Sequence, residues 1–209
     1  MHRDLWDYRK ATMTEDKKIL YIIAGCNGAG KTTASLSILP EVLDCQEFVN
    51  ADEIARGLSP LNPESMAIEA GKWMKQRFDQ LVEGEQNFAM ETTLSARTYT
   101  KLVQRAQAKG FEVHLIFFWL ASPEAAITRV AQRVQEGGHN VPRDTIIRRY
   151  YVGLNNLFNL FMPLVDVWML YDNSDMSKVL IAAGGSHLET QVYNEKQFNE
   201  IKQQCLLKN

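Results

Sequence analysis

The sequence predicts an α/β fold: a doubly wound, mostly parallel sheet of five to six strands, of the phosphate-loop type, with a helical lid. Three observations predict it. Short, continuous apolar runs alternate with segments of helical periodicity, as in strands buried on both faces and joined by crossover helices. A Gly-rich turn from Gly25 to Thr32 joins the first of these runs to a helix. The 209 residues, 45% apolar and 23% charged, have the size and composition of one soluble globular domain. That composition excludes a disordered chain, a collagen-like fibre and a disulfide scaffold. With 23 Lys plus Arg against 25 Asp plus Glu, the net charge of −2 argues against a protein that coats nucleic acid or an anionic membrane.

In chain order, residues 1–18 are polar and mixed in charge and predict a leader outside the fold. Ile19 to Ala24 (I-L-Y-I-I-A) predicts the first buried strand, and a helix begins near Lys31. Glu47 to Ala51 predicts a short second strand. Pro63 to Val82 predicts a long helix, with Met66, Ala70, Trp73, Met74, Phe78 and Leu81 close to helical spacing. Asn87 to Met90 leads into Glu91-Thr92-Thr93 as a third strand. Thr98 to Lys109 predicts a helix stopped by Gly110.

Glu112 to Leu120 is the strongest strand pattern. Ser122-Pro123-Glu124 then starts a helix well, with a capping hydroxyl, a proline in the first turn and an acid at the positive end of the dipole. That helix runs to about Gln135, breaks at Gly137-Gly138, and a second runs from about Pro142 to Phe161. Val165 to Leu170 and Lys178 to Ala183 predict the fifth and sixth strands. Residues 184–209 read as a tail of turn, short strand and helix, packed on the domain or partly mobile. The main unit is then 19–183, with the lid around 129–149. Cys26, Cys45 and Cys205 are an odd count without metal-site spacing. With no secretory pattern at the start, they point to a reducing, cytoplasmic setting.

The sharpest motif is Gly25-Cys26-Asn27-Gly28-Ala29-Gly30-Lys31-Thr32, a full match to G-x-x-x-x-G-K-[ST]. Tightly curled backbone N–H groups and a helix N-terminus converge there on phosphate oxygens. The expected nucleotide-binding set is Gly25, Asn27, Gly28, Ala29, Gly30, Lys31, Thr32 and Thr33. Lys31 reaches the terminal phosphates, and Thr32 is the expected ligand for Mg²⁺; ATP and Mg²⁺ are the expected cofactors.

Asp52, 21 positions after Lys31, falls just past the second strand, where a carboxylate can take a proton from an attacking hydroxyl. From residue type alone it serves equally well as a helix cap. Glu53 is the rival base, one position further into the helix and expected to point elsewhere. Glu91 ends the third strand, either ordering Mg²⁺-bound water or an acceptor, or bonding a loop. The strongest strand ends in Trp119-Leu120-Ala121-Ser122 without an acid, so metal support falls to Thr32, water, Asp52 or Glu91. The two helices around Gly137-Gly138-His139 read as a hinged flap rich in arginine. On the first helix the apolar stripe is Ile127, Val130, Ala131 and Val134, which turns Arg129 nearly opposite and leaves Arg133 on the flank. On the second it is Ile146, Tyr150, Leu154, Leu157 and Phe161, flanked by Arg149. Arg133 and Arg149 therefore lead as phosphate contacts, with Arg148 third, each weighed against a solvated basic face. His139 reads as a hinge or lid residue, having no partner at metal-ligand spacing. Asp172-Asn173 shapes either the base pocket or a turn.

In order, the phosphate loop, N-A-D-E-I-A, M-E-T-T-L, G-G-H before a basic helix, and Y-D-N-S resemble the zeta-toxin family of small-molecule kinases, in particular its short bacterial branch. The likeness spans roughly residues 19–175. It implies phosphorylation of a hydroxyl, the best-known acceptor being the amino sugar of a UDP-sugar. It implies Asp52 as general base and substrate contact by Glu91 and Thr93, and it brings in an antitoxin protein as a partner. Together, residues and resemblance lead to an ATP/Mg²⁺-dependent kinase of a small hydroxyl-bearing substrate. The alternative is a nucleotide-binding regulatory ATPase with no phosphoryl acceptor.

Overall fold

The computed structural model describes residues 17–175 and 177–206, so most of the expected leader, residues 1–16, lies outside the described residues. Strand β1 (Lys18–Gly25) is buried along nearly its whole length. Its Ile-Leu-Tyr-Ile-Ile run needs cover on both faces, and only a central strand has it. Helix α1 (Lys31–Glu41) follows the Gly-rich turn. Strand β2 (Glu47–Val49) is shorter than expected, because Asn50 caps helix α2 (Ala51–Leu58) and takes Ala51 into it. The expected long helix from Pro63 begins with a single 3₁₀ turn, Pro63–Met66, before α3 (Ala67–Glu83).

Strand β3 (Phe88–Thr92), helix α4 (Tyr99–Ala108) and strand β4 (Phe111–Trp119) come next. Helix α5 (Pro123–Gln135) is capped by Ser122, whose hydroxyl accepts from the Ala125 N–H at 3.1 Å. Helix α6 (Arg143–Asn156) widens into a π turn over Leu157–Phe161. The chain closes with β5 (Val167–Asp172), β6 (Val179–Gly185), β7 (Leu188–Val192) and helix α7 (Glu195–Leu206).

The sheet order is β2-β3-β1-β4-β5-β6-β7. The first five strands are parallel; β6 and β7 add antiparallel at one edge and bring the strand count to seven. The chain moves outward from β1 to β2, returns through β3, and crosses β1 to reach β4. That reversal opens a crevice beyond the carboxyl ends of β1, β3 and β4, where open α/β sheets bind ligands. The tail helix α7 buries Phe198 and Ile201. Gln204 at its end accepts from Tyr150 at 2.9 Å and from Trp119 at 3.3 Å, tying α7 to α6 and β4. Among the described residues, no helix is long and apolar enough to cross a membrane.

The turn after β3 is locked onto α6. Leu94 is fully buried at φ 52°, a left-handed conformation that costs a non-glycine residue of order 1–3 kcal/mol. Its N–H donates to Thr92 Oγ1 at 3.0 Å, and its carbonyl accepts from the buried Asn156 side chain at 2.6 Å. Beside it, the Thr93 carbonyl approaches Gly153 so closely that a Cβ there would lie 2.6 Å from the oxygen. Gly153→Ala is therefore expected to destabilise the fold by about 1–3 kcal/mol, seen as a fall of several degrees in thermal unfolding followed by circular dichroism. An unchanged midpoint would show that this turn is not held against α6.

Candidate functional site

The crevice beyond β1 and β3 holds a cavity of about 540 Å³. The phosphate loop forms its floor. Gly25, Gly28 and Gly30 have φ of 142°, 79° and 76°, angles that side chains other than glycine's rarely tolerate. A Cβ on Gly30 would meet Asn173 Nδ2 at 2.7 Å. Asn173 donates from that nitrogen to the Ala29 carbonyl at 2.7 Å, so the end of β5 braces the loop. Ala29 is wholly buried, and its N–H closes a turn onto the Cys26 carbonyl at 3.2 Å. Asn27 is buried, while Thr33 is exposed at the cavity wall.

Lys31 and Glu91 meet at the centre. Their side chains are only 7% and 9% exposed, with Lys31 Nζ 3.5 Å from Glu91 Oε1. The ammonium also donates to the Cys26 carbonyl at 3.0 Å. Glu91 Oε2 accepts from Thr32 Oγ1 at 2.8 Å and from Asn50 Nδ2 at 3.0 Å. Asn50 Oδ1 in turn accepts from the N–H of Asp52 at 2.9 Å and of Glu53 at 3.4 Å. The cap of α2 is thus Asn50, which removes capping as the reason for an acid at Asp52. The Asp52 side chain lines the cavity and makes no hydrogen bond or ion pair among the described residues. Glu53 lines the same cavity rather than pointing elsewhere, since both residues sit in the first turn of a helix aimed at the crevice. It is committed to Arg56 at 3.2 Å.

The arginines of α5 and α6 separate. Arg133 lines the cavity, donating to the His139 carbonyl at 2.7 Å while its Nε is buried without a partner. Arg149 Nη1 donates to Asn27 Oδ1 at 3.2 Å, bridging α6 to the phosphate loop. Arg148 is outside this cavity and lines a second one, because adjacent helix residues point about 100° apart. Arg129 corrects the expected helical face. The buried stripe of α5 is Pro123, Ala126 and Val130, with Ala131 and Val134 exposed, which brings Arg129 to the cavity. It donates to the Ser174 carbonyl at 2.6 Å. The sequence pattern singles out neither Arg56 nor Asn50, the cap it offers for α2 being Asp52. His139 Nδ1 lies 3.1 Å from Glu64 Oε1, without the alignment of a hydrogen bond. Thr93 does not line the phosphate cavity; its hydroxyl bonds the Ser95 hydroxyl at 2.8 Å in the turn after β3. Asp172 caps its own turn through the Ser174 N–H at 2.8 Å and bonds Gln197, a structural role. Among the described residues, no cluster of three or more His, Cys, Asp or Glu side chains could hold a metal by itself.

Comparison with known proteins sets this geometry in context. The family model for zeta toxin matches residues 3–180. An uncharacterised protein of Haemophilus influenzae is 31% identical over 142 residues, covering 68% of this chain and 98% of its own. The PezAT chromosomal toxin–antitoxin system of Streptococcus pneumoniae aligns over 99% of this chain and 86% of its own, with TM-score 0.68 and 18% identity. The AvrRxo1-ORF1:AvrRxo1-ORF2 complex with sulphate ions aligns over 96% and 69%, with TM-score 0.72 and 18% identity. The same complex with ATP aligns over 94% and 66%, with TM-score 0.68 and 18% identity. At 18% identity these likenesses speak to the fold.

Burial pushes the Cys26 thiol, inside the phosphate loop, up to about 11, and does the same for Cys45 and Cys205. At pH 8 all three are therefore expected to stay unmodified by an aromatic disulfide reagent until the protein is unfolded, followed by release of the coloured thiolate. Because their folded values lie above the ordinary 9.0, the unfolded chain loses protons first, and stability is expected to fall as pH rises from about 9 to about 11. Rapid labelling of the native protein at pH 8 would contradict this.

Proposed function

The chain belongs to the zeta toxin family, and from that premise we propose that it is an ATP- and Mg²⁺-dependent phosphotransferase acting on a hydroxyl of a small molecule. A nucleotide sugar is the acceptor to which the family resemblance points, and a cytoplasmic setting belongs to the same reading. One observation carries it. In a single cleft, the Lys31–Glu91–Thr32 cluster at the phosphate loop faces Asp52, an acid free of partners among the described residues. A nucleotide-binding module without an acceptor needs the first feature but not the second. The AvrRxo1-ORF1:AvrRxo1-ORF2 complex crystallised with ATP supports ATP as the nucleotide.

In this reading the loop amides and the ammonium of Lys31 hold the β- and γ-phosphates, and Arg133 and Arg149 neutralise charge on the transferred group. The oxygens of Thr32 and Glu91, hydrogen-bonded to each other at 2.8 Å, would suit a hard divalent cation brought in with the phosphates. Held there, Mg²⁺ would supply charge neutralisation on the phosphates. Asp52 accepts the proton of the acceptor hydroxyl as its oxygen forms a bond to the γ-phosphorus. The bond from that phosphorus to the bridging oxygen breaks, and ADP leaves with the electron pair. The toxin–antitoxin assembly of PezAT supports the further proposal of a protein partner for this chain.

Asp52→Ala is expected to bind ATP within about twofold of wild type and to lose about 10²–10⁴-fold in acceptor phosphorylation. Calorimetry measures the first quantity. Mass spectrometry of a metabolite extract incubated with enzyme and ATP measures the second, through the mass gain of one phosphate. Undiminished turnover would remove Asp52 from the chemistry.

A further inference from the structure

The two edges of the sheet are built differently. At one edge β2 has only three residues, and its Glu47 is ion-paired to Arg77 of α3 at 2.6 Å. A short, charged edge strand offers little to another chain. At the other edge β7 (Leu188–Val192, L-E-T-Q-V) has five residues, the first four of them exposed, and carries no Lys, Arg or Pro. Among the described residues, no strand pairs with its outer side. An edge strand of this kind presents unpaired N–H and C=O groups to any strand that can match them. Its end is fixed in place, because the N–H groups of Tyr193 and Asn194 both donate to the Ile181 carbonyl of β6, at 2.8 and 3.2 Å. Leu188 and Tyr193 are 47% and 59% exposed, so each end of β7 shows a large apolar side chain to solvent.

The strand that β7 matches is β7 itself. Two copies related by a two-fold axis meet antiparallel along such an edge. Opposed residues must turn their backbone groups the same way, so the axis falls on a residue and not between two. Thr190 is the centre that pairs all five residues. It sets Thr190 opposite Thr190 of the second copy, Leu188 opposite Val192 twice, and Glu189 opposite Gln191 twice. The Gln191 Oε1 atom already accepts from the Tyr193 hydroxyl at 2.9 Å, which leaves its amide nitrogen to donate across the axis. Glu189 has no hydrogen bond or ion pair among the described residues, so its carboxylate is ready to accept. Cross-strand pairs of these types, apolar with β-branched and carboxylate with amide, stabilise a ladder. Other centres are worse. An axis at Glu189 sets two carboxylates face to face, and an axis at Gln191 leaves Leu188 without a partner.

We infer that β7 is an interface between two copies of this chain, paired antiparallel about Thr190 so that their sheets become continuous. The inference stands apart from the phosphotransfer reading, since it uses no residue of the phosphate cleft. A ladder of five residues buries less than a standard protein interface does, so the dimer forms and dissociates with concentration.

The test is sedimentation equilibrium on the full chain from about 5 µM to about 500 µM, a range that brackets weak association. The wild type is expected to pass from monomer to dimer. Thr190→Lys sets two ammonium groups at the axis and should weaken the dimer about tenfold or more. Thr190 is exposed, so this variant is expected to unfold at the wild-type temperature. Register is read by oxidative crosslinking of single variants. Directly opposed residues have Cα atoms close enough for a disulfide, so Thr190→Cys should crosslink. Glu189→Cys should not, because its own copy lies diagonally across the axis and beyond reach. Cys26, Cys45 and Cys205 are buried and give no background. A wild type that stays monomeric throughout overturns the inference, as it would if β7 were covered by another part of the chain or by a strand of a different protein. So does a dimer that Thr190→Lys leaves intact, or one in which Thr190→Cys fails to crosslink.

Discussion

A carboxylate taken out of water must find compensation in hydrogen bonds and opposite charge, or it shifts its protonation or unfolds its surroundings. Glu91 is compensated by groups on separate elements: the ammonium and hydroxyl at the start of α1, and the amide that caps α2. The carboxylate therefore links the ends of β1, β2 and β3. Removing one partner of such a buried pair typically costs about 3–5 kcal/mol. Because Asn50 bonds both Glu91 and the first turn of α2, the same network positions Asp52 at the cleft.

The rest of the site follows from where the sheet reverses direction. β1 lies between β3 and β4, so the phosphate loop at its end is flanked by both, with Ala126 and Arg129 of α5 packed close to Gly28. Helix α6 serves both cavities at once. Its Arg149 reaches the phosphate loop, its Arg148 lines the second cavity, and its Gly153 and Asn156 fasten the turn after β3.

Much of this was legible in the sequence, because continuous apolar runs and a glycine motif are local signals. β1, β4 and the phosphate loop needed nothing beyond the chain itself, and Ser122 is of the type helix starts favour; at α2 the pattern offered Asp52 as the cap where the structure uses Asn50. The long-range contacts were not legible. The apolar stripe of α5 was misplaced because Ala131 and Val134 suit a helix whether or not they are buried, and that error hid Arg129. The strain at Leu94 carries no sequence signal, since leucine gives no hint of a left-handed backbone; only its buried partners reveal it. Periodicity already set Arg149 on the flank of the α6 stripe ahead of Arg148; the second cavity that Arg148 lines is what it could not foresee.

The most direct measurement of the central claim is a crystal structure of the protein with Mg²⁺ and a non-hydrolysable ATP analogue. The account predicts the β- and γ-phosphates on the amides of residues 25–32 and a metal ion ligated by Thr32, with Glu91 bound to it directly or through water. It places the Asp52 carboxylate facing the γ-phosphorus. A triphosphate seated elsewhere, or Asp52 turned to bulk solvent with the nucleotide in place, would contradict it.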